Sequence, residues 1–461
     1  MSQNQRTSAT RPRAVVLGVQ LPGVSDEEHD SSLAELSRLG KTLGVDVVAR
    51  VTQRRAKLDG GSVVGEGKLR ELAALTGGSG VVPTGPPRRR GKPKAEDGEP
   101  EESAEAATPA EAEKDATPAA ARAGVVLVDH DLSPSQARNL ERATSAEVLD
   151  RSAVILAIFQ RHARSREARL QVEIARLSYW APRVRESGGG KDRQGGGIGG
   201  RGAGESQLEL DRRKLRDRIA ELRAEIASIE REAGVRRQRR EEQNKVALVG
   251  YTNAGKSSLM RALTGSGVMV ADRLFATLDT TVRALQPETT PRILVSDTVG
   301  FIKKLPHELV ASFRSTLDEA RDAELLLHVV DAADPAFPAQ IEVTRAVLAD
   351  IGAEDVPRLL LLNKIDRVDA ARAEALRAEH PDALLLSAKR PEDVARLRER
   401  IRGYFERDMV EEEITVPYAR QRLVAEIHAS CRVLEEAHDE RGTRLRLRAR
   451  PAVLARLRAA V

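Results

Sequence analysis

Aromatic side chains make up 2% of these 461 residues, and there is one cysteine and one tryptophan. With Cys431 alone, no disulfide can form within the chain and no cysteine cluster can bind a metal, which points to a reducing compartment. No uninterrupted apolar run approaches the ~18 residues of a membrane-spanning helix, and the opening stretch MSQNQRTSATRPR lacks the apolar middle of a secretion signal. A cytoplasmic protein is expected, able to associate with membranes only peripherally. Sparse aromatics leave the cores to Leu, Val, Ile and Ala, in a chain that is 41% hydrophobic. A strong excess of one charge is absent too. Lys and Arg number 75 against 70 Asp and Glu, a net of +5, so the placement of charge says more about partners than its total.

What is present centres on KVALVGYTNAGKSS, Lys245 to Ser258. The apolar run Val246 to Val249 stops at Gly250, and Gly250, Gly255, Lys256 and Ser257 fit G-x-x-x-x-G-K-[ST], a strand, a phosphate loop and a helix start. Such a loop turns backbone N–H groups onto phosphate oxygens at the positive end of a helix. Lys256 is expected against the β- and γ-phosphates and the Ser257 hydroxyl on Mg2+. Phe275-Ala276-Thr277-Leu278-Asp279-Thr280-Thr281 follows without clear periodicity. A threonine there can sense a triphosphate, and the residues alone leave Thr277, Thr280 and Thr281 open. The buried-strand run Ile293 to Ser296 then delivers Asp297-Thr298-Val299-Gly300, a D-x-x-G pattern that can hold the magnesium shell and reach the γ-phosphate. Further apolar runs, Leu325 to Val330 before Asp331 and Leu359 to Leu362, lead to Asn363-Lys364-Ile365-Asp366. The Asp366 carboxylate can accept from N1 and N2 of guanine, a donor pair that adenine lacks, and so selects GTP over ATP. Leu384 to Leu386 leads into Ser387-Ala388-Lys389, placed to touch the guanine edge.

Upstream, strands at Ala14 to Gln20, Val45 to Thr52 and Gly124 to Val128 alternate with helices at Ser32 to Leu43 and Leu69 to Leu75, the pattern of a small α/β domain. The Pro, Ala and Glu-rich stretch Val82 to Ala123 is expected to be a disordered insertion. A helical pattern runs from Ala153 to Tyr179. A second, from Glu205 to Gln243, places Leu208, Leu215, Ile219, Leu222, Ile226 and Ile229 on a heptad seam, so the two predict an antiparallel hairpin. The loop between them, Ser187 to Gly204, is dense in glycine and carries Lys191, Arg193 and Arg201. It suits either a flexible linker or a tip that folds on a phosphate-rich partner. From Met409 onward a tail domain is expected, with strands at Glu413 to Pro417 and Arg444 to Arg448 around a helix from Arg420 to His438. Its RLRLRAR stretch reads as a half-buried sheet rather than a phosphate track.

Taken together, VGEGKLREL, DLSPSQARNLE, LQVEIARLSY, GGGIGGRGAGESQLELDRR, GYTNAGKSSL, FATLDTT, DTVGFI and NKID resemble the HflX-type GTPases. The resemblance implies a multidomain α/β fold divided as 1–147 (small α/β domain), 148–243 (hairpin), 244–408 (GTPase domain) and 409–461 (tail). It implies a monomeric cytoplasmic GTPase that binds the large ribosomal subunit through RNA and splits ribosomes under stress. It further implies phosphate contacts from Gly250, Tyr251, Thr252, Asn253, Ala254, Gly255, Lys256 and Ser257. The switch would be Phe275, Ala276, Thr277, Leu278 and Asp279, and the γ-phosphate side Asp297, Thr298, Val299 and Gly300. Guanine would meet Asn363, Lys364, Ile365 and Asp366, with Ser387, Ala388 and Lys389 at its edge. Lys256, Thr277 and Gly300 become the catalytic group, Ser257 and Thr277 the Mg2+ ligands. Asn253 resembles the asparagine that helps hold K+ in cation-dependent GTPases, which adds potassium as a candidate cofactor. The glutamine that many GTPases carry after D-x-x-G is replaced by Phe301, so slow intrinsic hydrolysis is expected. Two other functions fit the residues: a large-subunit assembly GTPase, and an RNA-binding scaffold regulated by nucleotide.

Overall fold

The structure is a computed structural model and describes residues 11–82, 122–187, 207–238, 243–265, 274–275, 281–303 and 314–461. The expected insertion (at residues 83–121), the glycine-rich loop (at 188–204) and switch residues 276–280 lie outside these. The chain divides into two compact units between Val154 and Ile155.

The first unit is a four-stranded parallel sheet in the order β2-β1-β3-β4, with β1 Arg13–Gln20, β2 Asp46–Arg54, β3 Val125–Val128 and β4 Glu147–Asp150. The helices α1 (Asp26–Leu43), α2 (Glu66–Thr76) and α3 (Pro134–Thr144) connect them. Helix α1 starts six residues ahead of the apolar periodicity because the Ser25 side chain accepts from Glu28 N–H and acids fill its first turn. Arg151 is buried, donating to Asp129 Oδ1 at 2.7 Å and pairing with Glu35, while Ser32 donates to Asp129 Oδ2 at 2.7 Å. Removing one partner from such a closed network leaves a buried charge unmatched, at a cost of about 3–5 kcal/mol.

In the second unit, the single helix expected over Ala153 to Tyr179 is two, α4 (Arg151–His162) and α5 (Arg166–Ser187). Helix α5 packs along α6 (Gln207–Gln238) through Leu170, Ile174 and Leu222, flanked by Leu177, Ile219, Ile226 and Ile229. Ion pairs Arg166–Glu225 and Arg218–Glu173 bridge the two helices and fix an antiparallel register. The core of this unit is a six-stranded sheet in the order β10-β9-β8-β5-β7-β6. Its strands are β5 Asn244–Gly250, β6 Thr281–Ala284, β7 Ile293–Asp297, β8 Leu325–Asp331, β9 Arg358–Asn363 and β10 Leu384–Leu385. All neighbours are parallel except β6, which runs antiparallel to β7. The central strands are apolar on both faces because helices cover both, including α7 (Lys256–Thr264) and α8 (Arg314–Arg321). Helices α9 (Phe337–Asp350), α10 (Ala370–Glu379) and α11 (Pro391–Glu406) complete this part.

The tail departs from expectation. Its helix ends at Ser430 (α12, Arg422–Ser430), and residues 432–439 form a strand. Three antiparallel strands, β11 Val410–Val416, β12 Arg432–Asp439 and β13 Gly442–Ala449, lie in the order β11-β13-β12, and α13 (Pro451–Ala460) follows. In β13, Leu445 and Leu447 are buried while Arg444 and Arg446 pair with Glu413, Asp439, Glu411 and Glu435. Arg444 and Arg446 of RLRLRAR are thus neutralised across the sheet, as a half-buried strand requires.

Candidate active site

Apart from Phe275, the described parts of the proposed site sit at the carboxyl ends of β5, β7, β8, β9 and β10, where a parallel sheet leaves its connecting loops together. Strand β5 delivers the loop Gly250 to Gly255. Gly255 has φ +100°, and a Cβ there would stand 2.2 Å from Asn363 Nδ2, so only glycine fits. Asn363 Nδ2 donates to Ala254 O at 2.8 Å and its Oδ1 accepts from Ala388 N–H at 3.1 Å. One buried side chain therefore ties the phosphate loop, β9 and the Ser387 to Lys389 turn. Lys364 adds a second tie, donating to Asn253 O at 2.6 Å and pairing with Asp331 at 2.7 Å.

Lys256 is buried, with Nζ donating to Gly250 O at 3.0 Å and Tyr251 O at 2.9 Å. Burial pushes its pKa down to about 8, Asp297 opposing the shift and Lys364 adding to it. The ammonium is thus held by neutral carbonyls at the place where an anion would hold it better. Ser257 Oγ donates to Asp297 Oδ2 at 2.8 Å, and Asp297 is fully buried at the end of β7. A hydroxyl and a carboxylate at a helix start beside a buried lysine form a hard-oxygen set that suits Mg2+ with phosphate, not a soft metal.

Thr298 is pinned by donating to Leu248 O at 2.7 Å. Next to the buried Val299, Gly300 lies so close to the loop that a Cβ would meet Thr252 Cγ2 at 2.8 Å and Lys256 Nζ at 3.0 Å. The chain beyond it is stitched to the loop: Phe301 N–H donates to Gly250 O at 3.1 Å, Thr252 N–H to Phe301 O at 2.8 Å, and Lys303 N–H to Tyr251 Oη at 2.8 Å. Phe301 is buried with Ala247, Val249 and Leu317, a packing role that leaves no group there to orient water.

Ile365, Asp366 and Arg367 form a short 3-10 turn after β9. Asp366 Oδ1 accepts from Ser387 Oγ at 2.7 Å, and Lys389 Nζ is 3.4 Å from Oδ2. The Ser387 hydrogen bond, ahead of the lysine, holds the Asp366 carboxyl below the usual range, so it is an ionised acceptor at neutral pH. Ser387 is itself held by Asp393, whose Oδ2 accepts from its N–H at 2.8 Å.

Of the switch residues only Phe275 is described; Ala276, Thr277, Leu278 and Asp279 are not. Phe275 is buried at φ +56°, a conformation costing an aromatic residue about 1–3 kcal/mol. Burial of the ring is worth about 1.5–3 kcal/mol and so offsets it. Its neighbour is Phe159 of α4, ring centroids 4.6 Å apart and edge to face. Sequence reasoning missed Phe159 and Asp393. Phe159 looked like one more apolar position on a helix, and Asp393 like one more acid in a first turn.

Three family models match the chain: "GTP-binding GTPase N-terminal" over residues 30–82 and 110–160, "GTP-binding GTPase Middle Region" over 162–240, and "50S ribosome-binding GTPase" over 245–364. A protein named GTPase HflX from Gluconacetobacter diazotrophicus is 59% identical over 449 residues, 97% of each chain. Proteins of the same name from Caldanaerobacter subterraneus subsp. tengcongensis (36% identity, 97% of this chain and 93% of that one) and Escherichia coli (41%, 70% and 77%) are also similar. Among solved structures, a GTP-binding protein from Sulfolobus solfataricus in complex with GDP aligns at 22% identity and TM-score 0.41, covering 84% of this chain and 99% of that one.

Proposed function

The chain belongs to the HflX family of GTPases and hydrolyses GTP; from that premise we propose that it docks on the large ribosomal subunit through its helical hairpin and separates stalled or idle ribosomes into subunits under stress. The observation that carries this reading is the hairpin itself. Helices α5 and α6 meet along a seam of Leu170, Ile174 and Leu222 and leave Arg169 and Arg176 exposed, next to a GTPase core that matches the "50S ribosome-binding GTPase" model. Exposed arginines on such a hairpin suit a phosphate-rich partner.

In the nucleotide site, Lys256 exchanges its carbonyl partners for the β- and γ-phosphates, Gly300 N–H faces the γ-phosphate side, and Asp366 accepts from guanine. Ser257, with Thr277, would hold Mg2+, which supplies charge neutralisation between the phosphates; Asn253 is the candidate contact for K+. With Phe301 packed away, basal turnover is slow, and docking on the large subunit completes the site. The four-part division at 147, 243 and 408 is proposed as the working domain organisation, and the protein as a monomer acting in the cytoplasm.

Purified ribosomes incubated with the protein and a nonhydrolysable GTP analogue, then resolved on a sucrose gradient, test this. The expected result is conversion of intact ribosomes to subunits, lost on deleting residues 187–204 while GTP binding is kept. Intact ribosomes throughout, with binding only to precursor particles, would instead favour the assembly reading.

A further inference from the structure

Ser387 is buried, and each of its polar groups meets a different partner. Its hydroxyl donates to Asp366 Oδ1 at 2.7 Å and accepts from Lys389 N–H at 3.3 Å. Its carbonyl accepts from Arg390 N–H at 3.0 Å, and its own N–H donates to Asp393 Oδ2 at 2.8 Å. Asp393 is unusual among these partners. Acids in the first turn of a helix commonly face water, yet this one, in the first turn of α11, is 5% exposed. Its other oxygen, Oδ1, is held by Arg396, three residues further along the helix. A buried carboxylate engaged through both oxygens is fixed in orientation, and it fixes in turn the N–H that it receives. A line of contacts therefore runs from Arg396 through Asp393 and Ser387 to the carboxylate of Asp366.

We propose that Asp393 is a positioning residue for guanine selection, fixing the Ser387 turn so that the Ser387 hydroxyl aims Asp366 at the base. The inference rests on the reading of Asp366 as the acceptor for guanine. The Asp366 side chain is 23% exposed, so its hydrogen bond from Ser387, more than packing, sets the direction of its oxygens. N1 and N2 of guanine together need a carboxylate held at one angle to the base, and a rotation that one donor tolerates breaks the pair. Without Asp393 the Ser387 N–H is left buried and unpaired, the turn shifts to relieve it, and Asp366 loses its aim. Lys256 and Gly300 belong to the loops after β5 and β7, whereas the hydrogen bonds of Asp393 run to Ser387 and Arg396. The loss therefore falls on binding through the base and not on the chemical step.

The test compares Asp393→Ala, Asp393→Asn and Asp366→Ala with the parent in affinity for GDP and for IDP, which keeps N1–H but lacks the 2-amino donor, and in steady-state GTP hydrolysis and thermal midpoint. For Asp393→Ala the expected result is at least a tenfold loss of GDP affinity and a smaller loss for IDP, so that the GDP-to-IDP preference narrows by at least threefold. KM for GTP should rise while kcat stays within twofold. Asp393→Asn keeps an oxygen to accept from Ser387 N–H and should restore most of the preference. Unchanged GDP affinity in Asp393→Ala, equal losses for GDP and IDP, or a lower thermal midpoint with the preference intact would overturn the proposal and leave Asp393 as a packing residue; so would Asp393→Asn behaving like Asp393→Ala. Unchanged GDP affinity in Asp366→Ala would remove the Asp366 reading and this proposal with it. Weak GDP binding by Asp366→Ala beside an unaltered Asp393→Ala would remove the Asp393 proposal alone.

Discussion

Lys256 makes the nucleotide site sensitive to alkali. Its pKa is lowered to about 8 by burial, because only carbonyls receive its protons. Bound phosphates favour the ammonium and raise that pKa, so the free protein gives up its proton at a lower pH than the complex does. The sign follows: affinity for GDP is flat below pH about 8 and falls above it, approaching tenfold per pH unit, with proton uptake on binding. Fluorescent-nucleotide titration between pH 6.5 and 9, with calorimetry in two buffers of different ionisation enthalpy, measures both; affinity flat to pH 9 would contradict it. The residues that gather at the carboxyl ends of the sheet were legible in the sequence where they belong to motifs, since glycine, lysine and aspartate at those spacings have few other uses. What could not be read were the contacts made by ordinary residues. Asp393 holding Ser387 and Phe159 holding Phe275 depend on which segments the sheet brings together, and no local pattern marks them.

Among the elements, those with periodic apolar faces were readable and those defined by caps or pairing were not. Helix α3 was missed although Ser133 and Gln136 form a reciprocal cap with Pro134 at the first position, because only Leu140, Ala143 and Thr144 are buried and the apolar stripe is thin. Residues 432–439 read as a continuing helix, but their partner β13 was already committed to a sheet and pairing with it overrode the helical propensity of VLEEAH. The hairpin was legible through its heptad seam, and that seam invites a test. Leu222 is the most deeply buried of its residues, so Leu222→Ala should cost about 2–3 kcal/mol, toward the low end for a leucine because the groove can collapse. Amide hydrogen exchange over residues 166–187 and 207–229 should then quicken by roughly 30- to 150-fold. Unaltered exchange would mean that the cross-helix ion pairs, not the apolar seam, hold the two arms together.

At the scale of the whole molecule, two arginines join the tail to the GTPase core: Arg432 of β12 donates to Glu406 Oε1 of α11 at 2.6 Å, and Arg450 reaches the sheet. Arg450, just ahead of α13, donates to Asn244 Oδ1 at 2.7 Å and Glu324 Oε2 at 2.6 Å, and its guanidinium stands 5.8 Å from the Phe405 ring. It thereby links the starts of β5 and β8 at the end of the sheet away from the nucleotide. Arg450→Ala should destabilise by about 1–3 kcal/mol, an estimate for charged hydrogen bonds that are still partly open to water, and should lower the melting midpoint without changing GTP affinity. An unchanged midpoint would show that the tail is carried by its own core. The scarcity of aromatic residues has a last consequence, for spectroscopy. Trp180 is the sole tryptophan, 48% exposed on α5 beside Tyr179, whose ring lies 3.4 Å from the Arg183 guanidinium. With excitation at the red edge, where tyrosine is silent, the protein emits from one place only. Its colour and brightness describe the surroundings of the hairpin and nothing of the GTPase core, so the molecule comes already labelled on the arm that we propose reaches its partner.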